Sequence, residues 1–371
     1  MKKERKFKIS GTLIFNLAVV IISIYLIIHF IISEDGLIDL LKSPDGFRWG
    51  WIIAALAIFD MNMVIDAVVT MIYLRAEYPH FGFLDSLRAA FVGVFFGAIT
   101  PSNTGGQPMQ LYLLSKKNIS VGYGSACLTQ KFIVYQLVTT GFSIFAVILK
   151  YSFFSNAFTN FWSSAFIVLG FMVQLLLTTL LLIVSFSKRI TKKLVRLIYK
   201  IMRALRFVKN PQGKIRKISR EFNMFLRSNK MLLGEKKRLV AIFALVFLQM
   251  ICILSVPYFV YISFDMPHIA AVNNQAMGTF LDFICIQSFV LFTSNLVPLP
   301  GASGGAELAF SMYFGQFFVL GSINKIKPAI LLWRFVTYYG AILLTAPFSY
   351  YTKGRKKNKI TEELIEKIEE N

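Results

Sequence analysis

Two stretches of this chain share one pattern of chemistry-bearing residues. Pro101-Ser102-Asn103-Thr104-Gly105-Gly106 recurs 199 positions later as Pro300-Gly301-Ala302-Ser303-Gly304-Gly305, giving Pro-x-x-[Ser/Thr]-Gly-Gly twice. Each copy interrupts a strongly apolar segment, where a backbone N–H or C=O without a partner costs several kcal/mol. A loop that expensive at membrane depth is expected to handle something polar. Gly-Gly permits positive φ and close approach of backbone to a ligand, while Pro removes a donor that would need a partner. A helix starting just after each loop aims its free N–H groups and positive dipole end at the tip. The natural guest is an anionic headgroup, which makes Thr104, Gly105, Gly106, Ser303, Gly304 and Gly305 candidate binding residues. Tight helix packing by small residues is the competing reading of the same glycines.

Ionisable side chains inside apolar runs are the second clue, because each is costly and is by default paired or lining a polar cavity. The set is Asp60, Asp66, Lys131, Asp282, Glu307 and Arg334. Glu307 lies two residues after the second Gly-Gly, and Gln107 and Gln110 follow the first. An acidic group beside an anion-binding loop suits a substrate carrying both a phosphate and an amine. Internal pairing, for example Glu307 with Arg334 or Asp60 with Lys131, accounts for the same residues as devices that hold helices in register. Both readings stand for Glu307 and Arg334, and pairing is favoured for Asp282. No Walker A sequence, G-x-S-x-G, H-E-x-x-H or paired Cys/His set is present, so no catalytic residue is singled out. Cys127, Cys252 and Cys285 form no CxxC, and His29, His80 and His268 are dispersed. Neither a disulfide, a metal site nor a cofactor is expected.

The elements that must position these loops are membrane helices. Hydrophobic residues make up 56% of the 371 and mean hydropathy is +0.61, with several runs exceeding the roughly 20 apolar residues that cross a bilayer. The runs are apolar at all helical phases and lack the alternation of a β-barrel. The formal charge of +21 would suit nucleic acid, but 29 of the 40 Lys and Arg fall in residues 1–8, 188–238 and 353–371, beside the apolar runs. That placement is the positive-inside pattern of cytoplasmic loops. A nucleic-acid partner is therefore not expected.

The reading is an all-α, polytopic integral membrane protein. Full spans are predicted at 10–32, 50–74, 121–149, 161–187, 239–263 and 328–350, with two re-entrant or broken hairpins at 87–115 and 276–321. A basic N-terminus (1–9) precedes a first membrane half (10–187) containing loop 100–108. A basic cytoplasmic loop (188–238) leads to a second half (239–352) containing loop 298–307, and a tail (353–371) follows. The apolar run 9–32 is too long for a signal-peptide core and reads as a retained first helix. Counting crossings between basic segments opens the first hairpin on the inside and the second on the outside. The two loops then enter from opposite faces, as an inverted repeat in a transporter predicts.

At these loops the chain resembles the membrane region of the lysylphosphatidylglycerol synthases, the family of the bacterial multiple peptide resistance factor. The residues that carry the likeness are Thr100 to Pro108 and Pro298 to Glu307, and the resemblance spans residues 10–350. It implies a multi-pass protein of the bacterial cytoplasmic membrane, with both termini cytoplasmic, concerned with aminoacylated phospholipid. In full-length members that region is regarded as the flippase that carries lysylphosphatidylglycerol outward and confers resistance to cationic antimicrobial peptides. A soluble domain in those members transfers lysine from lysyl-tRNA. The predicted tail 353–371 is nineteen residues long, and no segment is expected to supply that domain. Where many members carry an acidic residue after the first Gly-Gly and then an Arg, this chain has Gln107 and Gln110. Lipid translocation is the expected function, with Lys131, Arg334, Asp60 and Asp66 as further substrate contacts. The alternatives are phosphatidylglycerol lysyltransferase, as the family name implies, and a non-catalytic partner of a separate acyl- or glycosyltransferase. The expected partners are the membrane, a phospholipid and a second copy of the chain.

Overall fold

A computed structural model of the chain describes residues 47–150, 161–187, 211–297, 299–320 and 323–349, with Arg189, Lys193, Arg196 and Lys200. The expected first span, the N-terminal basic segment and the tail 353–371 lie outside the described residues. In chain order the helices are α1 (Trp49–Arg75), α2 (Phe83–Ala98), α3 (Gly106–Lys116), α4 (Val121–Leu149), α5 (Phe161–Phe186) and α6 (Pro211–Gly234). They continue with α7 (Lys236–Ser263), α8 (Met266–Val272), α9 (Phe280–Asn295), α10 (Gly305–Phe318), α11 (Ile326–Arg334) and α12 (Gly340–Thr345). Short 3-10 turns at Pro101–Asn103 and Pro300–Ala302 occupy the two loop motifs. A π-helical turn, Phe335–Tyr339, joins α11 to α12, and a 3-10 turn ends the run at Ser349.

The predicted spans fall on α1, α4, α5, α7 and the run Ile326–Ser349. Of these, α1, α4, α7 and Ile326–Ser349 are long and apolar enough to cross a membrane. Their outward faces carry large apolar side chains such as Ile53, Ile148 and Val240, which are 65%, 71% and 69% exposed. On a protein in water such a surface would be a liability, and a lipid surround removes it. One departure from an all-helical chain is a two-residue antiparallel ribbon after α10, pairing Val319 with Asn324 and Leu320 with Ile323.

Opposite orientation of the two halves follows from named contacts. At the start of α1, Arg48 N–H donates to Ser263 O at the end of α7 (2.8 Å), and midway Gln249 meets Asn62 (3.4 Å). These equivalent long helices of the two halves therefore run antiparallel. The first hairpin, α2 and α3, is clasped at the Arg75 end of the body. There Lys117 pairs with Asp85 at 2.7 Å and Arg75 donates to Phe81 O at 3.0 Å. From that end α4 departs, anchored by Tyr123 Oη donating to Tyr73 O (2.8 Å), and it finishes at the other end, where Lys150 pairs with Asp282 at 2.6 Å. Asp282 stands in the first turn of α9, whose capping box with Thr279 fixes the helix start. The second hairpin, α9 and α10, thus opens at the end opposite the first.

Each entering arm is 16 residues long, about 24 Å at 1.5 Å per residue, whereas α1 at 27 residues is about 40 Å. Two such arms entering from opposite ends overlap at their tips. The overlap is real: Tyr338 Oη, beside the second loop, donates to Ala98 O at the end of α2 at 3.1 Å.

Segment 188–238, expected as a loop, contains the 24-residue helix α6. Its stripe of Phe225, Ser228, Asn229 and Leu232 is buried, while Arg216, Arg220, Arg227 and Lys230 stay exposed. Asn229, fully buried, accepts from Gln130 Nε2 of α4 (3.1 Å) and donates to Ser185 O of α5 (3.1 Å). Asn229→Leu strands both partners, so unfolding stability in detergent micelles is expected to fall by about 1–3 kcal/mol. Arg227→Ala on the exposed face of the same helix is expected to stay within about 0.5 kcal/mol of the parent.

Candidate functional site

The two loops share a left-handed backbone at their second and third residues and part at the fourth, where ψ is −22° at Thr104 and 138° at Ser303. In the first, Ser102 and Asn103 have φ of 49° and 58°; in the second, Gly301 and Ala302 have 61° and 54°. Thr104 Oγ1 donates to Pro101 O at 2.8 Å, and its counterpart Ser303 Oγ donates to Pro300 O at 2.9 Å. The following backbone N–H, of Thr104 or Ser303, points at the same proline carbonyl at 3.1 and 3.4 Å. Two consecutive left-handed residues cost about 1–2 kcal/mol each where a Cβ is present. Three of the four left-handed loop positions carry a Cβ, a backbone also found at Asn118, Asp265 and Asn274 in other connections.

Positive φ was expected at the glycine doublets. Three of those four glycines do not use it. A Cβ on Gly106 would stand 2.6 Å from Gly93 O, one on Gly305 2.1 Å from Val297, and one on Gly105 2.6 Å from Thr100. Packing therefore accounts for Gly105, Gly106 and Gly305. Gly304 alone has positive φ, 84°, with open space beside it. Thr100 completes the first loop by donating to Phe96 O (2.6 Å) and accepting from Gly105 N–H (2.8 Å). As expected, a helix begins directly after each loop, α3 at Gly106 and α10 at Gly305. Their first-turn N–H groups lack intrahelical partners. Gly304 N–H is taken by Glu307 Oε2 at 2.6 Å, half of a capping box, since glycine has no side chain to return the bond.

Glu307 also holds Arg334. Arg334 Nε lies 2.7 Å from Glu307 Oε1, although its N–H is not directed at that oxygen, and Arg334 makes a long 3.5 Å contact to Ser303 Oγ. The guanidinium is 6% exposed and covers the face of Tyr338 at 4.7 Å. Tyr338 is the residue that sequence reasoning missed. Its ring leaves room only for glycine at position 301, where a Cβ would come within 2.3 Å, and its hydroxyl reaches the first hairpin. It stands on the π-helical turn, which inserts an extra residue and re-aims the side chains after Arg334. The doublet of Tyr338 and Tyr339 in a span was the available signal.

The other candidates sit elsewhere. Lys131 pairs with Asp66 at 2.9 Å and with Thr70 Oγ1 at 3.0 Å, so its partner is Asp66 and not the expected Asp60. Asp66 and Thr70 are one turn apart on α1 and meet α4 together. Among the described residues no ion pair or hydrogen bond links these three to either loop. Asp60 is half-buried on α1 without an ion-pair partner among the described residues. Gln107 is exposed, whereas Gln110 is buried against Gly93 with its Oε1 unpartnered among the described residues. Asp282 pairs with Lys150, as favoured from the sequence. The described residues hold no cluster of three or more metal-ligating side chains.

This geometry of two inverted, loop-broken hairpins accompanies a family match over residues 13–345, described as the lysylphosphatidylglycerol synthase TM region. The chain belongs to that family. Similar proteins include an uncharacterised protein of Mycoplasma pneumoniae, 24% identical over 89% of this chain and 85% of the relative. A UPF0104 membrane protein of Archaeoglobus fulgidus is 25% identical over 75% of this chain and 80% of the relative. An uncharacterised protein of Mycoplasma genitalium is 22% identical over 89% and 86%. No solved structure matches. The multi-pass membrane character expected from composition is thereby shown.

The Arg334 and Glu307 pair lends itself to a double-mutant cycle. Arg334→Met alone leaves a half-buried carboxylate without its counter-ion, with an expected loss of about 3–5 kcal/mol. Arg334→Met with Glu307→Met removes both charges and is expected to recover most of that loss, read as thermal unfolding in detergent. Gly301→Val, forced against Tyr338 at a left-handed position, is expected to lower the unfolding temperature more than Gly304→Ala, which meets no neighbour and bears only the strain of its positive φ.

Proposed function

We propose that this protein moves a lipid with an anionic headgroup from one leaflet of a bacterial cytoplasmic membrane to the other. The observation that carries the reading is the meeting of two strained, polar-edged loops that enter from opposite ends. Inverted, broken hairpins of this kind place a substrate near the midplane and let each side open in turn. The headgroup phosphate is taken by the first-turn N–H groups of α3 and α10, the hydroxyls of Thr104 and Ser303, and Arg334. Glu307 accepts an amine where the headgroup has one. Lys131 and Asp66 hold α1 and α4 in register instead. The acyl tails remain in the bilayer while the headgroup crosses.

Basic residues at the Arg75 end, among them Lys116, Lys117, Lys236 and Lys237, support a cytoplasmic position for that end. If the cargo is lysylphosphatidylglycerol, outward movement makes the cell surface less negative and weakens attraction for cationic peptides. Purified protein in liposomes is expected to accelerate transbilayer movement of at least one of labelled phosphatidylglycerol, lysylphosphatidylglycerol and a polyprenyl phosphate. Failure with all three overturns the proposal. The double variant Arg334→Gln with Glu307→Gln, which keeps the interior neutral, is expected to fold and to lose the acceleration.

A further inference from the structure

A groove lies on the outer wall of the body, away from the loops. It runs open between α4 and α7, with a volume of about 650 Å³, lined by Val138, Lys236, Leu239, Val240, Phe243, Ala244 and Phe247. Its α7 wall extends from Lys236 to Phe247, about 17 Å at 1.5 Å per residue. That is close to the half-thickness of a bilayer core roughly 30 Å across. The groove therefore matches an acyl chain of one leaflet and no more. Its floor is narrowest in side-chain bulk at Ala244, and Phe247 at the inner end is braced by stacking on Phe142 at 4.8 Å.

Charge at the outer end selects the headgroup. Lys236 contributes its aliphatic stem to the groove and carries its ammonium at the rim, as long basic side chains do at a membrane surface. Lys236 and Lys237 are both exposed and have no ion-pair partner among the described residues, whereas neighbouring Arg238 is tied to Glu235. Two free cations above a one-leaflet apolar trough favour a phospholipid of net negative charge over a zwitterionic one, whose own cation offsets its phosphate.

We propose that this groove binds one anionic phospholipid of the leaflet at the Arg75 end, phosphate at Lys236 and Lys237 and one acyl chain along Val240, Phe243 and Phe247. The site is separate from the loops and does not depend on the translocation reading. Native mass spectrometry of the purified full chain, with lipid removed and phosphatidylglycerol or phosphatidylcholine added back, tests it. The parent is expected to retain one more phosphatidylglycerol than phosphatidylcholine at equal lipid concentration. Ala244→Trp, which fills the trough, is expected to lose that extra lipid. Lys236→Gln with Lys237→Gln, both on the surface and harmless to folding, is expected to abolish the preference for phosphatidylglycerol. Unchanged preference in the lysine variant overturns the proposal. So does a parent that binds both lipids equally, or an Ala244→Trp variant that instead shifts the mass from dimer to monomer, which would assign the groove to a second copy.

Discussion

Backbone polar groups at membrane depth must find partners inside the protein, and this one constraint organises the body. A continuous helix satisfies them along its own length. The hairpins break that arrangement at residues 99–105 and again before α10, so each break needs help from outside its own helix. Part of the help is local, with Thr100, Thr104 and Ser303 hydroxyls closing on nearby carbonyls and N–H groups. The rest comes across the interface, since Ala98 O at the end of the first arm is met by Tyr338 from the last helical run. The first hairpin tip is thus completed by the opposite half. The meeting of the tips is a requirement of solvation as much as a consequence of arm length.

The same constraint explains how Arg334 is tolerated. A guanidinium at 6% exposure is costly unless its charge is matched and its face covered. Glu307 matches the charge and Tyr338 covers the face. Glu307 in turn is held by Gly304 N–H at the start of α10, where the helix dipole favours an anion. One carboxylate therefore serves the helix end and the arginine together, and the second loop, α10 and the π-helical turn form a single electrostatic unit.

Much of this architecture was legible in the sequence. Apolar length alone located α1, α4, α5, α7 and the C-terminal run to within a few residues, because spanning a bilayer leaves little freedom in helix length. The repeated Pro-x-x-[Ser/Thr]-Gly-Gly located both tips, and counting basic flanks anticipated their opposite entry. Partner choice was less legible. Asp60 and Asp66 are both acidic and on one helix, but six residues apart they point in different directions, and only packing selects Asp66 for Lys131. The role of the doublets was half-read: left-handed backbone sits before them, at Ser102, Asn103, Gly301 and Ala302, while the glycines mostly admit neighbours. Helix α6 was hidden by its own charge, since two of its four buried stripe positions are Ser228 and Asn229, which a hydrophobic pattern does not register.

The π-helical turn shows why the tyrosine doublet could mark Tyr338 but not foretell its contacts. Tyr338 follows Arg334 by four residues, and in the wider turn its one ring serves three neighbours, lying under Arg334, against Gly301 and within reach of Ala98. Such a geometry carries no sequence signature of its own and is held in place only by what surrounds it. Because that ring touches both halves, any relative movement of the two hairpins must change at least one of its three contacts. At the loop tips the coupling between the halves therefore includes this aromatic side chain and the charge pair beside it, in addition to the α1–α7 packing and the Lys150–Asp282 pair farther out.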